Sequence, residues 1–160
     1  MGTNYKGSKA EINALNTYIK LIRAAQSITA RLNSRITKEG LTESQFSILE
    51  ALFHIGPLCQ RDLAGKLLQS GGNITMVIDN LEKQGLVKRQ RGEKDRRFFT
   101  VHLTQKGKSS IENLFPKHLT AITEEISILT EKEQHEFQRM CKLIGLQKQE
   151  SGIEKNKEKI

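Results

Sequence analysis

The sequence lacks any apolar run that approaches the ~18 residues needed to span a membrane. Its first residues, MGTNYKGSKAE, contain no apolar signal region. They also lack the serine or threonine of a myristoylation signal, because Lys6 occupies that position. These absences argue against secretion and against a membrane partner, so we expect a cytoplasmic protein.

Cysteine is scarce as well, since Cys59 and Cys141 are the only two and lie far apart. We expect both to be free thiols, because disulfides are uncommon in chains that are not secreted. The four histidines show no metal-ligand spacing with one another or with the cysteines. No pattern of nucleophile, base and orienting group stands out either. The sequence therefore predicts no metal site, no cofactor and no enzyme.

Positive charge is abundant and concentrated in one segment. The chain carries a net charge of +8, and residues 83–97 hold seven cations against two anions, a net charge of +5. Residues 147–160, by contrast, hold four lysines and three glutamates with almost no apolar side chains, which is typical of a solvated tail. A local basic excess indicates a polyanionic partner.

Long helices are predicted at both ends of the chain. Capping boxes at Ser8–Glu11 and Thr130–Glu133 mark helix starts, and Gly40 is a plausible end for the first helix. The first helix has two apolar stripes: Ile12, Leu15, Ile19 and Ile22, and then Leu21, Ala25, Ile28, Leu32 and Ile36. Two stripes predict packing on the chain's own domain and on a second subunit. Pro116 predicts a kink or break in the helical stretch that follows Thr104.

The middle of the chain predicts three shorter helices and a hairpin. A capping box at Thr42–Gln45, with Leu41 and Phe46 as hydrophobic staple, starts a helix that Gly56-Pro57 stops. Helices over Gln60–Leu68 and Asn73–Gln84 follow, separated by Ser70-Gly71-Gly72, and then strands over Leu86–Arg91 and Arg97–Thr104 around a charged tip, residues 92–96. Helix, helix, helix and basic hairpin is the order of a winged helix-turn-helix.

In that fold the second helix of the pair enters the major groove, and the hairpin tip reaches the backbone or the minor groove. The helix over Asn73–Gln84 suits this role, because one face is apolar and the other carries short polar side chains. We expect DNA contacts from Arg61, Ser70, Gly72, Asn73, Thr75, Met76, Asn80, Lys83, Lys94, Asp95, Arg96 and Arg97.

Three stretches carry a family pattern: Asn73-Ile-Thr-x-x-Ile-x-x-Leu81-Glu-Lys-Gln-Gly85-Leu-Val-Lys-Arg, then Asp95-Arg96-Arg97, then Leu103-Thr104-Gln-Lys-Gly107. Together they resemble the MarR (multiple-antibiotic-resistance regulator) family, and the resemblance covers residues 10–147. It implies a mainly α fold with a small β-hairpin wing, in a homodimer that reads an inverted repeat in double-stranded DNA. It also implies that Arg97 enters the minor groove while Asp95 orients it.

The resemblance also implies which segments form which part of the protein. Residues 41–104 would form the winged-helix lobe, residues 10–38 and 105–147 the dimerisation helices, and residues 1–9 and 148–160 flexible tails.

Members of this family release DNA when a small, often phenolic, ligand binds between the dimer helices and the lobe, or when a cysteine is oxidised. Tyr18 stands where the organic-peroxide branch has its reactive cysteine, so that mechanism does not transfer. The stretch from Gly72 to Thr75 is closest to members that respond to quinone-like compounds. We therefore expect a repressor with a small aromatic effector, and Tyr18, Phe53 and His54 are the candidate pocket residues.

Cys59 is a candidate redox sensor. It falls at the N-cap of the helix from Gln60, beside Arg61, and both features favour a reactive thiolate. The alternative is a small residue that fills a helix corner. Cys141 lies in an apolar stripe and is expected in the core.

Two other functions remain open for the same residues. One is an architectural DNA-binding protein without an effector, and the other is a helical adaptor whose basic hairpin docks an acidic protein. A specific regulator prefers one palindromic duplex by about 10³-fold or more. An architectural protein binds all duplexes equally, and an adaptor binds none.

Overall fold

The computed structural model describes residues 3–67, 71–91 and 99–146. In chain order its elements are α1 (Lys9–Lys38), α2 (Glu43–Ile55), β1 (Leu58–Cys59), α3 (Gln60–Lys66), α4 (Gly71–Lys83), β2 (Val87–Arg91), β3 (Phe99–Leu103), α5 (Gln105–Ile126) and α6 (Glu131–Gly145). They fall into two compact units, one ending at Ile122 and one beginning at Thr123. The fold is mainly helical with a small antiparallel sheet, which confirms the predicted class.

Capping explains where three of the helices begin. In each capping box the hydroxyl accepts the N–H of the third helical residue, whose side chain accepts the N–H of the cap residue. The boxes are Ser8 with Glu11, Thr42 with Gln45, and Thr130 with Glu133, as the sequence predicts. Gly40 follows α1 with φ of 80°, a backbone conformation that favours glycine.

The core of the first unit lies between α2, α4, the sheet and the start of α5. Its most deeply buried side chains are Ile48, Leu49, Leu63, Ile74, Ile78, Leu81, Val87, Val101 and Ile111. Each contributes about 1.5–3 kcal/mol through removal of apolar surface from water. Leu41 and Phe46, the predicted staple, are buried as well.

The sheet has one strand more than the sequence predicts. Its order is β1-β3-β2, and Val101 of β3 pairs with Leu58 on one side and Arg89 on the other. β1 has two residues, too few to show an alternating pattern, and it forms because β3 offers it a free edge.

Several details of the helices differ from the prediction. α3 ends at Lys66 rather than Leu68, and Leu68 lies outside the described residues. α4 begins at Gly71 rather than after Gly72, because glycine is accepted in a first helical turn and the Thr75 hydroxyl donates to the Gly71 carbonyl at 2.9 Å. α5 runs unbroken through Pro116, so the break that the sequence allowed does not occur, and the alternative, a kink, stays a prediction. Pro116 is exposed, where water can serve the carbonyl that its ring leaves without a donor.

The stretch Leu103-Thr104-Gln-Lys-Gly107 joins the sheet to α5 through a tight contact. The Thr104 hydroxyl donates to the carbonyl of Gly85 at 2.7 Å and accepts the N–H of Gly107 at 3.0 Å. A Cβ at position 107 would lie 1.9 Å from the carbonyl oxygen of Leu86. Only glycine fits there, which gives this family pattern a steric reason.

α6 has no buried residue, although its sequence is amphipathic. Cys141 is half-buried, so its expected place in the core is wrong. Its apolar neighbours Phe137, Met140 and Ile144 are each at least 42% exposed, so the stripe that contains Cys141 lies at the surface of the single chain. No helix in the described ranges is long and apolar enough to cross a membrane.

Candidate nucleic-acid interface

α4 presents the polar face that the sequence assigns to DNA. Its inner residues are buried, whereas Gly72, Asn73, Thr75, Met76, Asn80 and Lys83 are exposed. Met76 is the apolar exception, with 58% exposure, and can meet the methyl group of a thymine. The exposed residues of α4 therefore form one continuous candidate reading surface.

Thr75 is fixed within this surface by two hydrogen bonds. Its hydroxyl donates to the Gly71 carbonyl and accepts from Nε2 of Gln60, the first residue of α3. A hydroxyl has one donor and two acceptor sites. Thr75 can therefore still accept a hydrogen bond from a base amino group but has no donor left. Sequence reasoning missed Gln60, because its link to α4 spans fifteen residues.

The start of α3 holds two further candidates. Arg61 projects into solvent with 88% of its side chain exposed, beside Asp62 at 3.7 Å. Cys59 is the N-cap residue as expected, but its side chain makes no capping hydrogen bond. It is half-buried on β1, opposite Thr100. Because its side chain is so exposed, the Arg61 guanidinium can reach a phosphate.

Arg89 of β2 ties the hairpin to α4, and the sequence analysis did not propose it as a site residue. Its guanidinium bonds Asp79, and it bonds Glu82 at 2.5 Å, while its own N–H donates to Glu82 at 2.9 Å. Burial opposes the charged form of Arg89, but the two carboxylates outweigh it and raise the pKa of the guanidinium. The signal was available, because Arg89 lies two residues after buried Val87 on the same face of β2, where a charged group needs an ionic partner.

Five predicted contacts lie outside the described residues: Ser70, Lys94, Asp95, Arg96 and Arg97. The tail over residues 148–160 does so too. The strands that carry the wing are nevertheless described up to Arg91 and from Phe99 onward, and these two residues are paired.

A cavity of about 230 Å³ lies next to the lobe, within the first unit. It is lined by Arg35, Ile36, Lys38, Glu39, Phe46, Leu114, Lys117 and His118. The cavity is thus walled by α1, α2 and α5, with apolar residues inside and cations at the rim. Lys117 pairs with Glu39 across it at 2.9 Å.

His118 is the polar group of this cavity. Its ring packs on Phe46 with centroids 4.6 Å apart, and its buried Nδ1 has no hydrogen-bond partner among the described residues. Burial lowers the pKa of His118 and outweighs the charge of Glu50, which acts in the opposite direction. A neutral imidazole with an unused nitrogen can bind a hydroxyl group.

The predicted pocket residues lie elsewhere. Tyr18 is 62% exposed on α1. Phe53 is half-buried and contacts exposed His54, whose ring meets Phe115 at 4.5 Å. None of the three predicted residues lines the described cavity. His118 could have been found from its spacing, since it follows buried Leu114 by four residues.

Comparison with known proteins gives consistent results. A family model described as the MarR family matches residues 41–98. The HTH-type transcriptional regulator MhqR of Bacillus subtilis is 37% identical over 133 residues, which span 83% of this chain and 92% of that relative.

Solved structures agree on the fold. Sco3205 of Streptomyces coelicolor, a MarR family transcriptional regulator solved in complex with DNA, superposes with a TM-score of 0.80 at 22% identity, covering 92% of this chain and 96% of that one. BpsR of Bordetella bronchiseptica, whose DNA binding is regulated by 6-hydroxynicotinic acid, superposes with a TM-score of 0.73 at 23% identity over 81% and 98% of the two chains.

Proposed function

This chain belongs to the MarR family and is a DNA-binding transcriptional regulator of that type, and from that premise we propose that it is a homodimeric repressor released by a small aromatic ligand. Family membership argues against the adaptor alternative. The release experiment below tests for an effector and so bears on the architectural alternative. Family membership also agrees with the expectation that the chain is not an enzyme, since its relatives are regulators.

The cavity beside His118 is the observation that supports a small aromatic ligand. A space of about 150 Å³ accepts benzene, so about 230 Å³ is enough for one substituted ring. Phe46 offers a ring to stack on, and Nδ1 of His118 can pair with a phenolic hydroxyl. Arg35, Lys38 and Lys117 at the rim favour a ligand that is electron-rich or anionic. BpsR, a protein of the same fold, supports control by a hydroxylated aromatic acid.

A route from this cavity to the DNA surface runs through α5. The helix forms one wall of the cavity, and at its start Lys106 donates to the carbonyl of Gln84, just after α4, at 2.9 Å. Thr104 holds Gly85 at the same place. A ligand that shifts α5 against α2 therefore also shifts the end of α4. Because packed cores adopt discrete arrangements, such a shift can favour a state that no longer fits DNA.

The dimer is proposed on the apolar residues that the single chain leaves exposed. On α1 these are Leu15, Tyr18 and Ile22, and on α6 they are Phe137, Met140, Leu143 and Ile144. A second copy that covers them would place two lobes on the two halves of an inverted repeat.

The test measures release of DNA by defined compounds. A duplex selected from a randomised library by the wild-type protein is the probe, and phenols, hydroquinones, quinones and peroxide are added. We expect hydroquinones and phenols to release DNA from the wild type and from a Cys59→Ser, Cys141→Ser double variant. His118→Leu should bind DNA but resist release, whereas His135→Leu, which alters an exposed histidine of α6, should respond normally.

The cysteine variant separates the two sensing mechanisms. Loss of the response in the Cys59→Ser, Cys141→Ser double variant, with His118→Leu still responsive, would replace the ligand proposal by thiol oxidation. If His118→Leu resists release of DNA while the cysteine variant responds, the cavity is supported as the ligand site.

A further inference from the structure

Arg91, the last residue of β2, stacks on Phe99, the first residue of β3. The guanidinium carbon lies 5.5 Å from the ring centroid, within the ~6 Å of a cation–π contact. Arg91 and Phe99 are direct partners in the β2–β3 register, and both are exposed. Neither residue belongs to the hydrophobic core of the lobe, and nothing in the proposed effector mechanism uses them.

The register places this pair on the side of the sheet that faces α4. Directly paired residues of antiparallel strands share a face, and successive residues alternate between faces. On the face of Arg91 and Phe99, Val87 and Val101 are buried and Arg89 bonds α4. Arg91 follows Arg89 on that face, about 7 Å further along the strand.

The opposite face of the same strands carries a matched cation. Lys88 pairs with His102 in the register and is exposed, so it has the charge and strand of Arg91 but points away from α4. Any effect of bulk positive charge should therefore be shared by Lys88 and Arg91, whereas an effect of position should not.

We propose that Arg91, held over the Phe99 ring, binds a backbone phosphate of the DNA that α4 enters, and that Phe99 positions its guanidinium. The ring covers one face of the planar group and leaves the N–H edge free for a phosphate, which that edge fits in geometry. Within the described part of the chain, Arg91 has no acidic partner, because Asp79 and Glu82 are bound by Arg89.

The stacking also has a consequence for binding. An arginine already held in one place loses less side-chain freedom when it docks. A phosphate contact carries no sequence information, so Arg91 acts equally on operator and random DNA. This assignment rests on duplex binding by the lobe and is independent of the effector.

The test compares the wild type with Arg91→Ala, Lys88→Ala and Phe99→Leu. Affinity for a random-sequence duplex and for the library-selected duplex is measured by fluorescence anisotropy between about 50 and 200 mM salt. Removal of one phosphate contact lowers the salt slope by about 0.9. The loss of affinity caused by Arg91→Ala should therefore be about 3.5-fold larger at 50 mM than at 200 mM salt, on both duplexes.

The two remaining variants define the position and the role of the ring. Lys88→Ala should keep the wild-type slope and affinity. Phe99→Leu should weaken both duplexes with an unchanged slope, because the charge remains but is no longer held. Thermal unfolding checks that each variant keeps its fold, since all three side chains are exposed.

Three results would overturn the assignment. Equal losses from Arg91→Ala and Lys88→Ala would indicate bulk charge alone. A loss confined to the selected duplex would indicate base reading instead of a phosphate. Wild-type protein that binds no duplex would refute the proposed function itself, which separates the two failures.

Discussion

α4 and α6 are amphipathic helices of similar length, thirteen and fifteen residues, yet their apolar faces have opposite environments. α4 buries Ile74, Val77, Ile78 and Leu81 in the core of its own unit. α6 buries none, and Leu143 and Ile144 are 59% and 50% exposed. An apolar stripe therefore predicts that a helix has a partner but does not tell whether the partner is in the same chain.

α1 resembles α6, because it too is amphipathic and buries almost none of its residues. Of its thirty residues only Ile36 is buried, although its sequence has two apolar stripes. The lobe over residues 41–104 thus buries apolar residues within one chain, whereas α1 and α6 leave many of theirs exposed.

The largest effect should come from removing α6. Deletion of residues 131–160 should yield monomers or aggregates, because the helix supplies apolar surface to the proposed dimer. Deletion of 148–160 alone is the control and should leave the oligomer unchanged. Sedimentation velocity measures both, and a stable dimer without residues 131–160 would remove α6 from the interface.

A change inside the lobe should act on stability within one chain. Gly107→Ala places a Cβ against the Leu86 carbonyl and should cost about 3 kcal/mol, the upper end for overpacking. Gly65→Ala on α3 meets no atom within 4 Å and should stabilise by about 0.5–1 kcal/mol. Urea unfolding measures both. Equal effects would show that the junction tolerates a side chain.

On the wing, outside the described residues, Arg97→Ala should weaken operator binding by about 1–3 kcal/mol with the dimer intact. Asp95→Ala should weaken it too, although it removes a negative charge, because the family resemblance implies that the aspartate orients the arginine. Titration of operator DNA with each variant at several salt concentrations measures both effects. Tighter binding by Asp95→Ala at every concentration would identify the aspartate as a merely repulsive charge.

The outer face of α4 should affect specificity and leave stability unchanged. Thr75→Ala and Asn80→Ala should each cost about 1–3 kcal/mol on the selected duplex and little on random DNA. For Thr75 the structural reason is its remaining acceptor site, since Gly71 and Gln60 occupy the rest of its hydroxyl. A uniform loss on both duplexes would assign α4 to backbone positioning.

The smallest effect concerns pH. Burial lowers the pKa of His118 below 6.5, so the unfolded chain takes up a proton at higher pH than the folded one. Stability should therefore be lost as the pH falls through 6.5 and should be fully present above it. In His118→Gln this contribution should vanish, whereas His135→Gln should retain it. Urea midpoints about one pH unit either side of 6.5 provide the measurement, and identical profiles for the two variants would contradict it.

Local signals in the sequence correctly predicted the starts of the three helices that have capping boxes, and the buried residues of α4. A capping box such as Thr42–Gln45 is complete within four residues, and the spacing of Ile74, Val77 and Leu81 needs no knowledge of the rest of the chain. Failures came where a distant residue decides. β1 depends on an edge that β3 provides forty residues later.

In the candidate site, too, local features could be predicted from the sequence and long-range contacts could not. Exposure of Asn80 and Lys83 followed from helical period, whereas the link between Gln60 and Thr75 and the cavity at His118 depend on elements brought together by folding. Of the two effects predicted for Pro116, the break does not occur, because the cost of a proline depends on which side of the helix meets water.

The hydrogen bond between Thr104 and Leu86, at the base of the hairpin, bears on how the length of the wing can vary. The N–H of Thr104 donates to the carbonyl of Leu86 at 3.1 Å, so the two ends of the hairpin are joined where it leaves the lobe. A loop whose ends are already fixed can grow at small cost, because doubling its length adds only about 0.6 kcal/mol. We therefore expect that residues inserted between Arg91 and Phe99 would cost the domain little stability, because the paired strands on either side would stay in place.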